Sequence, residues 1–237
     1  MADCDADNLD PLAQNYLDNI VDVAEQRDAL RRHDTALLCI DMQYLDACKG
    51  YGVFADAVSS GLPPESIDYY FNRLENLVFP NVNKLQNAFR RNKLEVIHTR
   101  IQSMTLDGRD RGPGHKRLGL HAAPGSIEAE FMPQVAPIGD EIIINKTASG
   151  VFNATNIEYI LRNMQISSLY VVGVYSNECV STAIRDACDL GFHVTLISDC
   201  VATVTPELEN ATITTMKDRY ARVITTEEAI AELKVVC

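Results

Sequence analysis

Five short apolar runs punctuate this chain, each followed by a polar break and then by residues with helical spacing. They are Thr35–Ile40 (TALLCI), Leu94–His98 (LEVIH), Glu141–Asn145 (EIIIN), Leu169–Val174 (LYVVGV) and His193–Ser198 (HVTLIS). Runs of strand length rich in β-branched residues, without strict alternation, are the pattern of strands buried on both faces. Between them, apolar residues recur three and four apart: Leu74, Leu77, Val78, Val82, Leu85 and Phe89 in 67–91, and Val180, Ala183, Ile184, Ala187 and Leu190 after Cys179. Strands alternating with helices at this spacing mean βαβ units, right-handed crossovers and a parallel sheet covered on both sides. The expected fold is α/β, a three-layer α/β/α sandwich around a mostly parallel sheet of about six strands, the last at Val223-Ile224. Further helices are expected at 156–164, 206–220 and 226–233, and Pro80 predicts a kink or break inside the 67–91 helix. One domain over 34–237 follows a polar N-terminal arm at 1–33, which carries an amphipathic stretch near Leu17–Leu30.

Composition narrows the function classes. A net charge of -12 opposes nucleic-acid or anionic-membrane partners, which require basic patches. The acidic start, MADCDADNLD, does not read as a signal peptide, and no apolar run approaches a bilayer span. A cytoplasmic protein is expected. The 7 cysteines are scattered without a CxxC pair, so reduced thiols are expected rather than a disulfide framework or structural zinc.

The chemistry is expected at the carboxyl ends of the strands, where open α/β sheets place functional groups. Asp41 follows the first run, Lys146 the third, and Cys179 stands where the fourth gives way to a helix ended by Gly191. A helix N-terminus favours the thiolate and offers N–H groups to an oxyanion. A carboxylate can take the thiol proton and return it to a leaving amine, and a lysine can steady both. The alternative is a small buried cysteine and two turn residues. The loop at 44–66 and the loop at 99–124 are long enough to be functional or mobile. The second carries Arg100, Arg109, Arg111, His115, Lys116 and Arg117, read either as solvated surface or as an anion-binding cluster.

The segments TALLCIDMQ, IIINKTASGVFNATNIEYILRN and VVGVYSNECVSTAIRDACDLGFHVTLISD, in this order, resemble the isochorismatase-like cysteine hydrolase superfamily from about Thr35 to Leu233. That superfamily includes nicotinamidases, N-carbamoylsarcosine amidohydrolases, biuret hydrolases and ureidoacrylate amidohydrolases, and its fold is Rossmann-like. The resemblance implies a catalytic Asp41, Lys146 and Cys179, a non-proline cis peptide at Val174–Tyr175, and an oxyanion hole from the backbone N–H groups of Tyr175 and Cys179. It implies a cysteine-dependent amidohydrolase that cleaves a C–N bond of a small amide, ureido or carbamoyl compound, and a homo-oligomer, dimer or tetramer. Residues 44–66 contain no histidine, so the metal site of nicotinamidases is missing and no metal or cofactor is implied. Gln43, Phe152, Asn153 and Tyr175 are substrate-pocket candidates because each adjoins a trio member in sequence. His98 reads as a satisfied structural histidine, and Cys39 and Cys188 as uninvolved. A catalytically silent binding or scaffold protein of the same fold is the alternative.

Overall fold

The computed structural model describes residues 23–56 and 60–235. Expectations for residues 1–22 lie outside the described residues. Six strands form one all-parallel sheet: β1 Thr35–Ile40, β2 Glu95–Ile101, β3 Ile142–Lys146, β4 Ser168–Val174, β5 His193–Ala202 and β6 Arg222–Ile224. Their order across the sheet is β3-β2-β1-β4-β5-β6, so the winding direction reverses between β1 and β4. At such a switch point the loops leave the sheet in opposite directions and open a crevice.

Side chains of β1 alternate between two cores. Leu37 and Cys39 join Tyr170 and Val172 under the long helical segment 64–91 and the C-terminal helix Thr226–Val235. Ala36, Leu38 and Ile40 join Leu169 and Val171 under the helices Ile157–Asn163, Ser181–Asp189 and Pro206–Met216. Every β1 and β4 residue is buried, which is why these strands read as unbroken apolar runs.

Differences from the sequence reading have local causes. Helix Val23–Arg32, from the expected arm, packs on the sheet, with Ala29 and Leu30 buried and Gln26 Nε2 donating to the Val194 carbonyl at 3.3 Å. Helical structure continues through Pro80 without a break. A π-turn at Leu74–Val78, closed by Phe79 N–H donating to the Leu74 carbonyl, absorbs the missing donor between helices Pro64–Arg73 and Phe79–Arg91. β2 extends past His98 to Ile101, and β5 past Ser198 to Ala202 through a register shift. The 206–220 helix stops at Met216, where the chain turns through Asp218 at φ 61°.

One glycine sets the distance between the two central strands. Gly173 pairs with Ile40 and has φ +122°, and a Cβ there would lie 2.1 Å from the Ile40 carbonyl oxygen. Only a residue without a side chain lets the carboxyl ends of β1 and β4 approach this closely.

Candidate active site

Three strand ends converge on one lysine. Lys146 is the last residue of β3, two strand spacings or about 9–10 Å from β1, a gap that only a long side chain bridges. Its Nζ lies 2.7 Å from Asp41 Oδ2 and donates to Cys179 Sγ at 3.3 Å and to the Ala148 carbonyl at 3.0 Å. Three contacts match the three N–H bonds of an ammonium group. All three side chains are nearly sealed from solvent, with relative exposures of 1% for Asp41, 0% for Lys146 and 4% for Cys179.

Asp41 turns out of β1 with φ +53°, a left-handed conformation that aspartate tolerates. Its N–H donates to the Thr99 carbonyl at 3.1 Å, and Thr99 Oγ1 donates to its Oδ1 at 3.0 Å. The carboxylate is thus aimed from β2 as well as from β1. Cys179 lies in a π-turn, Ser176–Val180, that precedes helix Ser181–Asp189, so it is one turn inside the helical segment rather than at its start. The peptide bond between Val174 and Tyr175 is cis.

Burial opposes a thiolate at Cys179, against what a helix N-terminus alone would favour. Burial pushes the Cys179 thiol well up, Lys146 offsets only part of this, and the Asp41 carboxylate holds the proton further. Burial opposes charge on Lys146 too, but Asp41 and then Cys179 outweigh it and keep the ammonium charged. Burial and the neighbouring carboxyl groups thus favour the thiol form of Cys179 over the thiolate.

The pocket candidates divide. Tyr175 is half-buried beside the trio, its ring 5.3 Å from Tyr70 and 6.5 Å from Phe54, and its hydroxyl donates to the Asp46 carbonyl at 3.2 Å. Gln43 is buried and committed to the fold: Nε2 donates to the Ile101 and Glu128 carbonyls at 2.9 and 2.8 Å, and Oε1 accepts from Ile101 N–H at 2.6 Å. It has no donor left for a ligand, and it explains why β2 continues to Ile101. Phe152 packs on Phe192, 6.0 Å away before β5, and Asn153 is exposed and donates to Asp186 at 3.1 Å. Asn153 is thus tied to helix Ser181–Asp189, and Phe152 packs against the apolar cluster that also holds Cys179.

Two residues that sequence reading did not place here face the trio. Asp46, on the short helix Tyr44–Ala47, is 3% exposed, and Asp41, Lys146 and Glu178 act on its charge. His115 is 7% exposed, and Lys146 and Asp41 act on it. Asp46 follows Asp41 by five residues and sits between Leu45 and Ala47, an acid at a buried helical position, which was its only signal.

Three cations of the 99–124 loop brace that loop, while Arg100 donates to Asn145 and to the Ala129 carbonyl. Arg111 donates to the Gly108 and Leu120 carbonyls, Lys116 to the Arg109 carbonyl, and Arg109 pairs with Asp107. His98 is held between Glu141, 3.0 Å away, and the edge of Phe131, as a structural histidine. Cys200 meets the Thr226 hydroxyl at 3.1 Å, and Asp199 caps the last helix through Thr226 N–H at 2.8 Å. Among the described residues no three His, Cys, Asp or Glu side chains are grouped to hold a metal ion, and no helix is long and apolar enough to cross a membrane.

Comparison with known proteins places this geometry. An Arabidopsis thaliana protein named probable inactive nicotinamidase is 33% identical over 213 residues, covering 86% of this chain and 99% of the relative. The N-carbamoylsarcosine amidase of an Arthrobacter species is 23% identical over 161 residues, covering 66% of this chain and 61% of that enzyme. Two other curated relatives are likewise matched over less than two thirds of their own length, and two more over 84% and 79%. Among solved structures, a cysteine hydrolase from Pseudomonas syringae pv. phaseolicola superposes with a TM-score of 0.71 at 23% identity, covering 86% of this chain and 94% of that one, which shows the shared fold. The Isochorismatase domain model matches residues 35–228, from the first residue of β1 into the last helix. The chain belongs to the isochorismatase family.

Proposed function

We propose that this protein is a cysteine-dependent hydrolase of carbon–nitrogen bonds in small amides or ureido compounds, acting through an acyl-enzyme on Cys179. The observation that carries the reading is the single ammonium group of Lys146 in contact with both Asp41 and Cys179 in a buried site. Support also comes from a relative named an amidase.

The steps follow from the protonation states. Asp41 takes the Cys179 proton as sulfur attacks the substrate carbonyl, so no isolated thiolate is buried. The new oxyanion is held by the backbone N–H groups of Tyr175 and Cys179. Asp41, now protonated, donates to the departing nitrogen as the C–N bond breaks, leaving a thioester and free ammonia or amine. Water then attacks the thioester while Asp41 takes its proton. The C–S bond breaks, the acid or carbamate leaves, and the proton returns to sulfur. Lys146 keeps its charge throughout and balances whichever of Asp41 and Cys179 is anionic.

Ammonia release across a panel of small primary amides, ureido acids and biuret-like compounds tests the reading. Cys179→Ala abolishes release and leaves the fold intact, and mass spectrometry of Asp41→Asn with a turned-over substrate shows either an adduct confined to Cys179 or unreacted enzyme. Undiminished release by Cys179→Ala would exclude the scheme. A second reading, a silent binding protein of this fold, is favoured by the name of the Arabidopsis relative. Release indistinguishable from Cys179→Ala on every compound supports it.

A further inference from the structure

The side chain of Asp46 is held in place without being used. Its backbone carbonyl accepts from the Tyr70 hydroxyl at 2.8 Å and the Tyr175 hydroxyl at 3.2 Å, which fixes the residue beside the trio. Its Oδ2 is sealed from solvent and has no hydrogen-bond partner among the described residues. A carboxyl oxygen with no partner in a site nine-tenths closed is costly unless something else occupies it. From the helix Pro113–Arg117, His115 brings a second buried atom without a partner, Nδ1, toward the same trio.

The carboxyl groups around Lys146 outnumber its single charge. Asp41, Asp46 and Glu178 surround Lys146, whose three donors are already committed. Arg111, Lys116 and Arg109 are tied to their own loop. Burial raises Asp46, as expected of a carboxyl group that keeps a proton until a cation arrives. An anionic ligand would meet carboxyl groups here. A neutral one could donate an N–H or O–H to Oδ2 but would leave the excess of carboxyl groups without a counter-charge. A cation satisfies both the hydrogen bond and the charge.

We propose that Asp46 sets the substrate class of this site by receiving a positively charged nitrogen, a primary ammonium or guanidinium, at the end of the substrate away from the scissile amide. The inference rests on Cys179 being the nucleophile of the proposed function, and it makes Asp46 a specificity residue rather than a participant in bond cleavage.

The test compares modification of Cys179 by two methanethiosulfonates of similar size, the cationic 2-aminoethyl and the anionic 2-sulfonatoethyl reagents. Rates are read at Cys179 by peptide mass spectrometry and divided by the rates for 2-mercaptoethanol, which removes intrinsic reactivity. The expected normalised preference is for the cation by about tenfold or more, the order of one poorly screened charge at close range. Asp46→Asn removes most of that preference, Asp46→Glu keeps it, and Glu178→Gln, at the exposed rim, changes it far less. No preference, a preference untouched by Asp46→Asn, its loss in Asp46→Glu, or an equal fall in Glu178→Gln would overturn the assignment. Ammonia release from 4-aminobutyramide, butyramide and succinamate separates the two claims. Turnover without a cation preference keeps the hydrolase and removes Asp46 from specificity. A cation preference in labelling without any turnover does the reverse. Cys179 reacting with neither reagent overturns both.

Discussion

Replacing Gly173 by alanine tests how the site is assembled. The backbone there has φ +122°, which costs an L-residue about 1–3 kcal/mol. The added Cβ would stand 2.1 Å from the Ile40 carbonyl oxygen, inside the 3.0 Å that real Cβ contacts respect, so β1 and β4 must part by about 1 Å. Overpacking of this kind adds about 1–3 kcal/mol. A total near 4 kcal/mol corresponds to a fall of roughly 8–16 °C in melting temperature for a chain of this size. Asp41 follows Ile40 directly and Cys179 lies shortly after Gly173, so the same parting breaks contacts of 2.7 and 3.3 Å at Lys146. A misplacement of 1 Å lowers turnover about 100-fold. The control is Gly191→Ala, where φ is +84° but nothing lies within 4 Å of the new Cβ, and about 1 kcal/mol is lost with turnover unchanged. Thermal melts followed by circular dichroism, with ammonia release, read both effects. Gly173→Ala melting like Gly191→Ala, or retaining its turnover, would refute the close-approach argument.

Lys146→Met leaves the Asp41 carboxylate buried without its counter-ion and should cost about 3–5 kcal/mol in urea unfolding. Adding Asp41→Asn should restore part of it, and a single-variant loss under about 1 kcal/mol would show that Thr99 alone compensates the charge. Burial pushes the Cys39 thiol up to about 12 and raises Cys179 and Cys200 as well, so above about pH 9 the unfolded chain gives up thiol protons that the folded chain keeps. Stability is therefore full below that pH and falls as pH rises toward 12, by up to about 1.4 kcal/mol per pH unit for each thiol. Urea midpoints at pH 8 and 10.5 check the sign, and Cys39→Ala should flatten the slope. Hydrolysis should survive dialysis against chelators, given the absence of a ligand cluster among the described residues. Loss on chelation with recovery on adding zinc would reveal a metal that acts in the reaction.

The strands were legible because burial on both faces writes itself into unbroken apolar runs, and their alternation with helical spacing leaves few topologies besides a parallel sheet. Asp41, Lys146 and Cys179 were legible for a related reason: polar residues that end such runs must emerge along one edge of the sheet. Sequence adjacency misled for Asn153, because a helical turn after Lys146 commits its amide to Asp186 on helix Ser181–Asp189. It misled for Gln43 too, whose amide is consumed by β2 and the loop at Glu128, partners 58 and 85 residues away. Asp46 went unnoticed because nothing local distinguishes a buried carboxyl from an exposed one. Its direction depends on Tyr70 and Tyr175, which lie 24 and 129 residues further along the chain. The electrostatics of Cys179 likewise belong to the tertiary structure: the local motif offers a helix N-terminus that favours a thiolate, but full burial beside Asp41 opposes it. Sequence thus determined which groups reach the sheet edge, through a periodicity of two or 3.6 residues. Distant packing decided which of them are sealed, paired or left open, because desolvation and charge act through space rather than along the chain.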